Sequence, residues 1–143
     1  MKLDHVGIAV RDLEQAASRF GGLLGLDRGS RYDLPDWKVS ALFLTVGESH
    51  LELLQPHGED STVGRFLARR GEGLHHICFE VEDIESSLRD FERQGAVLLD
   101  RRPRPGAGGH RVAFIHPQST HGVLVELKQK DGPAPDASGR EPR

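Results

Sequence analysis

The sequence predicts an α+β fold made of two copies of one β-α-β-β-β module, forming a cupped sheet. Three observations carry that prediction. The segment LDHVGIAVRDLE (3–14) recurs as LHHICFEVEDIE (74–85), with Leu3/Leu74, His5/His76, Val10/Val81, Asp12/Asp83 and Glu14/Glu85 identical. The same offset of 71 pairs Phe20 with Phe91, beyond the stretch that defines it. Both halves also close alike, on HLELLQP around Glu52 and VLVELKQ around Glu126. His5 precedes Glu52 by 47 positions and His76 precedes Glu126 by 50. A chance match of amphipathic segments accounts for the apolar positions. It does not account for a His and a Glu recurring at matched places.

Each element has a local reason. A strand over 3–10 leads into a helix that starts at Asp12, where Gln15 stands at capping-box spacing. The helix runs to about Leu24, and Gly25 can end it. Shorter strands follow near 28–32, 39–46 (VSALFLTV) and 50–55. A linker helix is predicted over 62–70, with Ser61 as N-cap and Gly71 just past its end. The second module repeats the order: a strand over 74–81, a helix from Asp83 to Gln94 stopped by Gly95, and strands near 97–101, 111–115 and 122–128. The repeats thus span about 3–56 and 74–128, within one domain of residues 1–130. The stretch DGPAPDASGREPR (131–143) is rich in Pro, Gly and charge without periodicity, and reads as a disordered tail.

Composition sets the outer bounds. Hydrophobic residues make up 36% and charged residues 29% of 143, which suits a small soluble domain. A net charge of −3 gives no general case for a nucleic-acid partner. The one cysteine, Cys78, excludes an internal disulfide and suits a reducing cytoplasm. No apolar run approaches 18 residues and the start is not signal-like, so no membrane partner is expected.

Strand periodicity assigns faces. Neighbours in a strand point to opposite sides. His5, Gly7 and Ala9 share one face of the first strand, and Val6, Ile8 and Val10 the other. His76, Cys78 and Glu80 share a face in the matching strand, and Ile77, Phe79 and Val81 the other. The large apolar faces suit helix packing, and the histidine faces carry small residues. Glu52 and Glu126 are each flanked by apolar residues, so both carboxylates also point away from the apolar face. Two His and two Glu on such faces fit a divalent ion, because buried carboxylates need a partner and imidazole with carboxylate suits Co, Ni, Zn, Fe or Mn. The metal candidates are therefore His5, Glu52, His76 and Glu126. His75 falls on the helix-packing face and reads as structural. Cys78 reads as a small buried residue. His116 and His121 flank a turn outside the repeated positions.

With these residues in view, the chain resembles the vicinal oxygen chelate (glyoxalase/bleomycin resistance/dioxygenase) superfamily. Within it the chain resembles the methylmalonyl-CoA epimerases. The resemblance runs from about Leu3 to Leu127. It is carried by LDHVGIAVRDLE, HLELLQP, EDSTVGRFLARRGEGLHHICFEV and FIHPQSTHGVLVEL, the third being the most specific. It implies paired βαβββ units cupped around a metal, cobalt in the first place, with His5, Glu52, His76 and Glu126 as ligands. It implies epimerisation of (R)- and (S)-methylmalonyl-CoA by 1,1-proton transfer through a metal-stabilised enolate. It implies a second acid/base group opposite Glu126, at Asp36 in LPDWKV. The family carries Glu there, so Asp36 is a departure that shortens the reach by one methylene. Glu48, in the GES turn at a strand end, is a poor substitute for it. A homodimer is implied too, and open four-stranded sheets leave edges that pairing would cover.

The basic, Gly-rich loop RRPRPGAGGHR (101–111) is expected to hold the acyl end or the CoA phosphates. Arg104, Gly106, Gly108, Gly109 and Arg111 are its candidates, since Gly backbone approaches anions closely and Arg grips phosphate or carboxylate. Two other readings come from the same superfamily. One is a glyoxalase-type isomerase or a ring-cleaving dioxygenase, though a dioxygenase would use two His and a single carboxylate. The other is a non-catalytic small-molecule binder, a class that generally lacks the complete ligand set.

Overall fold

The computed structural model describes residues 1–130. The expected tail, 131–143, lies outside the described residues. The chain forms two compact units, one over residues 5–75 and one over 76–130 together with 1–4.

In the first unit, β1 (Lys2–Ala9) is followed by α1 (Leu13–Leu24), β2 (Asp27–Leu34), β3 (Val39–Val46) and β4 (Ser49–Pro56). The strands hydrogen-bond in the order β2-β3-β4-β1, with β1 parallel to β4 and the other pairs antiparallel. α1 buries Leu13 and Ala17 against Ile8, Val10, Leu42, Leu44 and Leu53. Each fully buried aliphatic side chain of this kind contributes about 1.5–3 kcal/mol. These residues fall on alternate positions of their strands, so the period of two leaves His5, Gly7, Phe43 and Glu52 on the opposite face. The linker helix, α2 (Thr62–Arg70), has the predicted bounds. Ser61 Oγ accepts the Gly64 N–H at 2.9 Å, and Gly71 follows at φ 76°.

In the second unit, β5 (Gly73–Glu80) leads to α3 (Ile84–Arg93), then β6 (Arg104–Pro105), β7 (Arg111–Ile115) and β8 (Val125–Gln129). The order is β5-β8-β7-β6, again with a parallel pair, β5 with β8. Ile84 and Leu88 of α3 pack on Val81, Ala113, Ile115, Val125 and Leu127.

The repeat extends to individual hydrogen bonds. Val10 N–H donates to the Leu54 carbonyl and Val81 N–H to that of Lys128, both at 2.9 Å. Asp12 Oδ1 accepts from Gln15 N–H at 3.0 Å, and Asp83 Oδ1 from Ser86 N–H at 3.1 Å. The first-turn N–H of Leu13 finds Gln55 Oε1 at 2.8 Å, and that of Ile84 finds Gln129 Oε1 at 2.9 Å. Each helix start is thus capped by its own Asp and tied to its module's last strand by a glutamine.

Two local readings are corrected. The strand expected near 97–101 reduces to a single bridge, Leu98 with Ile115. Asp100 Oδ2 takes the Phe114 N–H at 2.9 Å, and the Phe114 carbonyl accepts from both Leu99 and Asp100 N–H. A side chain therefore replaces the ladder, and pairing resumes only at Arg104 and Pro105. The last strand begins at Val125, not 122, because His121 and Gly122 both have positive φ and form a turn.

The repeat is also broken once in a buried place. Lys128 Nζ lies 3.2 Å from Asp4 Oδ2, with both residues buried. Their counterparts in the repeat are Leu54 and His75, which cannot form such a pair. Lys128→Met would take the nearer cation from the buried Asp4 carboxylate and leave it the half-exposed Lys130 Nζ at 3.9 Å, so the substitution is expected to cost about 3–5 kcal/mol. Asp4→Leu combined with Lys128→Met is expected to recover most of that loss, read as urea midpoints of the three proteins.

Candidate functional site

Each unit holds one buried His–Glu pair. In the first, parallel pairing sets Gly7 opposite Glu52, so His5, two residues earlier, lies diagonal to the carboxylate. His5 Nε2 is 3.4 Å from Glu52 Oε1. The other carboxylate oxygen, Oε2, accepts the Tyr32 hydroxyl at 3.4 Å. Phe43 stands opposite Glu52 on β3 and presents its ring to His5 (centroids 5.7 Å), His50 (5.3 Å) and Tyr32 (5.8 Å). In the second unit Cys78 is opposite Glu126, and His76 Nε2 lies 3.2 Å from Glu126 Oε1. Phe114 is opposite Glu126 and meets the His76 ring edge-on at 6.0 Å.

The two pairs are therefore built identically: an imidazole, a carboxylate diagonal to it across a parallel ladder, and a phenyl ring opposite the carboxylate. His5, Glu52, His76 and Glu126 are at most 9% exposed. Carboxylates this deep are held by the imidazole beside them. The donors are nitrogen and oxygen atoms of the types that borderline divalent ions take, so the residues fit a metal.

The phenylalanines and Tyr32 are neighbours of the two pairs beyond the predicted set. Phe43 and Phe114 stand at the same offset of 71 as the histidines, a signal present in the sequence. Tyr32 has none, because its counterpart is a different residue. Tyr32 pairs with Ala41 beside Phe43, and Arg104 pairs with Val112 beside Phe114. Arg104 places its guanidinium 5.9 Å from the Phe114 ring centre and 3.3 Å from Asp100, and so shares a face with His76.

The other predicted residues are distributed differently. Asp36 lies exposed in a single 3-10 turn, Pro35–Trp37, and has no ion pair with the described residues. The hairpin carrying it is tied down by Lys38 Nζ on Asp60 at 2.6 Å and by Ser40 Oγ between Asp33 (2.6 Å) and His57 (2.9 Å). The Lys38 ammonium holds the Asp60 carboxyl below the usual range. Gly106 and Gly109 donate their amides to His110 and Gly106 carbonyls, so the loop closes on itself. A Cβ at Gly106 would lie 2.7 Å from Val112 Cγ1, which explains that glycine by close approach. Gly108 and Gly109 carry φ of 71° and 76° within the same turn. Arg111 reaches Glu85 on α3 at 3.1 Å. His116 Nδ1 accepts the Gln118 N–H at 3.0 Å and caps a 3-10 turn, while His121 is exposed at φ 54°. Cys78 is fully buried.

His75 and His76 separate cleanly. His75 sets its ring edge-on to Phe66 of α2 at 5.0 Å, whereas His76 lies against Glu126. His76→Ala is expected to lower divalent-metal affinity by more than the roughly 10–100-fold that losing an outer partner costs. His75→Ala is expected to leave metal affinity intact and to cost about 0.5–1.5 kcal/mol of stability. Metal titration and thermal melts of both variants check the contrast.

Comparison with known proteins agrees with this architecture. The profile of the Glyoxalase/Bleomycin resistance protein/Dioxygenase superfamily matches residues 4–114. The chain is 44% identical over 130 residues to the ethylmalonyl-CoA/methylmalonyl-CoA epimerase of Cereibacter sphaeroides, covering 90% of this chain and 97% of that one. It is 40% identical over 129 residues to the human mitochondrial methylmalonyl-CoA epimerase, covering 90% and 73%. The solved structure of a variant of the Streptomyces coelicolor methylmalonyl-CoA epimerase, in complex with 2-nitronate-propionyl-CoA, superposes with a TM-score of 0.86 at 35% identity, over 92% of this chain and 95% of that one. The duplicated modules, the repeated His–Glu pairs and these similarities place the chain in the glyoxalase/bleomycin resistance protein/dioxygenase superfamily, in the group that contains the methylmalonyl-CoA epimerases.

Proposed function

We propose that the chain is an epimerase that interconverts (R)- and (S)-methylmalonyl-CoA, using one divalent ion held by His5, Glu52, His76 and Glu126. The observation that carries this reading is the twice-built, buried His–Glu pair, in a chain whose relatives at 40–44% identity include methylmalonyl-CoA epimerases. A divalent ion, with cobalt preferred by resemblance, supplies Lewis-acid stabilisation of the charge that develops when the α-proton leaves.

The chain's own residues divide the remaining work. Epimerisation removes a proton on one face of the α-carbon and returns one on the other, which requires two acid/base groups. Glu126 is assigned to one face, its carboxylate oriented by His76. Asp36 is assigned to the other, on the hairpin clamped by Lys38–Asp60 and Ser40. Tyr32 holds the outer oxygen of Glu52 and fixes that carboxylate. The phenyl rings of Phe43 and Phe114 exclude water from the imidazoles. The chain is read as a cytoplasmic homodimer. No described helix is long and apolar enough to cross a membrane.

A second substrate is favoured by one observation. The Cereibacter relative acts on ethylmalonyl-CoA as well as methylmalonyl-CoA. The same site is therefore tested with both α-substituents.

Loss of the α-proton NMR signal of methylmalonyl-CoA in D₂O is the direct assay. Exchange is expected with added Co²⁺ and is expected to stop with a chelator; absence of exchange in the metal-loaded protein would overturn the epimerase reading. Glu126→Gln and Asp36→Asn are each expected to slow conversion of a single enantiomer by about 10²–10⁴-fold. Full activity in either variant removes that residue from the acid/base pair.

A further inference from the structure

We propose that an arginine groove beside α3 binds the phosphate groups of the CoA handle, an inference that rests on the acyl-CoA reading above. The groove has a volume of about 420 Å³ and is lined by Glu85, Arg89, Arg101, Arg102, Pro103 and Arg111. It therefore gathers four guanidinium groups around one carboxylate. Glu85 is already engaged by Arg111 at 3.1 Å. Among the described residues Arg101 has only Glu92 at 3.8 Å, with its own side chain 82% exposed. Arg89 and Arg102 form no ion pair with any described residue. Pro103 restricts the backbone of Arg102 to extended conformations and so limits where that side chain can go.

Like charges gathered in a concave wall repel one another unless an anion enters. The same wall raises the local anion concentration. Guanidinium forks match phosphate oxygens two at a time, which makes arginine the side chain suited to diphosphate and phosphomonoester groups.

The fold does not require this charge, and the repeat supplies the comparison. The matching hollow beside α1 is lined by Glu14, Gln15, Ser18 and Arg19. Glu14 corresponds to Glu85 and is likewise engaged, by Arg28 at 2.9 Å. Ser18 stands where the second module has Arg89. The structural ion pair is thus common to both modules. Beyond that pair the first hollow is lined by one cation, Arg19, and the second by three, Arg89, Arg101 and Arg102.

The position of Arg104 connects this groove to the His76–Glu126 pair. Arg104 lies on the edge strand β6 and turns toward Phe114, on the face that carries His76. Arg101 and Arg102, just before it, line the groove on the α3 side. Cations therefore straddle the sheet edge within three residues of chain. An acyl group seated at His76–Glu126 would send its pantetheine arm over this edge and its phosphates into the groove.

The test uses full-length wild type and the Arg89→Ala/Arg102→Ala double variant, with melting curves to establish that both are folded. Calorimetric titration with CoA is expected to show affinity lower by about tenfold or more in the variant. The KM for methylmalonyl-CoA is expected to rise by a similar factor with kcat within about twofold. A methylmalonyl-pantetheine thioester, which lacks the nucleotide, is expected to show a several-fold smaller penalty. Equal CoA affinity in the two proteins would overturn the proposal. Arginine-dependent binding of pyrophosphate with unchanged CoA affinity would also overturn it, and would assign the groove to a free polyphosphate. If wild type exchanges no α-proton from either thioester, the epimerase reading fails, and the CoA titration still decides the groove.

Discussion

The parallel pairing of each module's first strand with its last is the constraint on which the rest depends. A parallel ladder cannot be closed by a tight turn. The intervening chain must cross over, and in each unit that chain is a helix followed by intermediate strands. The crossover places the helix on one face of the sheet and covers the aliphatic side chains there. The other face is left with His5 and Glu52, or His76 and Glu126, diagonal to each other across the ladder. The spacing between His and Glu in the sequence is the length of that crossover. It differs slightly between halves, 47 against 50 positions, because the connection from β7 to β8 carries the Pro117–Thr120 turn where β3 and β4 are joined by Gly47 and Glu48 alone; at Phe43 and Phe114 the offset is still 71.

The places where the two modules differ are as informative as those where they agree. Agreement is found at the helix caps, at Gln55 and Gln129, at the imidazole–carboxylate pairs and at the opposed phenyl rings. All of these either satisfy buried polar groups or shape the site. Divergence is found at Tyr32 against Arg104, at Leu54 against Lys128 and at Ser18 against Arg89. Tyr32 supplies a neutral donor to a carboxylate, whereas Arg104 supplies a cation at the sheet edge. One module has thus specialised in fixing its glutamate, while the other has gathered positive charge. That asymmetry is what a substrate with one reacting end and one polyanionic end requires.

Much of the fold was legible because its signals are local or repeated. Helix starts were readable from Asp12, Ser61 and Asp83, since an oxygen side chain at an N-cap satisfies amides within three residues. Faces were readable from period-two alternation. The strand misread near 97–101 shows the limit: Leu98 has the right pattern, but Asp100 takes the Phe114 amide with its side chain and ends the ladder. No local pattern announces a carboxylate that competes with a backbone carbonyl. The ion pair between Asp4 and Lys128 was hidden for a related reason, since 124 positions separate its members.

The sequence by itself determined the modular architecture, the equivalence of His5 with His76 and of Glu52 with Glu126, and therefore that His76 and not His75 belongs with a carboxylate. Internal repetition made this possible, because a residue type that recurs at a matched strand position reports its face without any coordinates. Only the tertiary structure decided that Tyr32 holds Glu52, that Arg104 and Arg111 serve opposite faces of one sheet, and that Arg89 joins Arg101 and Arg102 in a groove. Those relations join a helix, an irregular loop and separate strands through space. The matched positions carry unlike residues in the two modules, Tyr32 against Arg104 and Ser18 against Arg89, so neither periodicity nor repetition carries these relations.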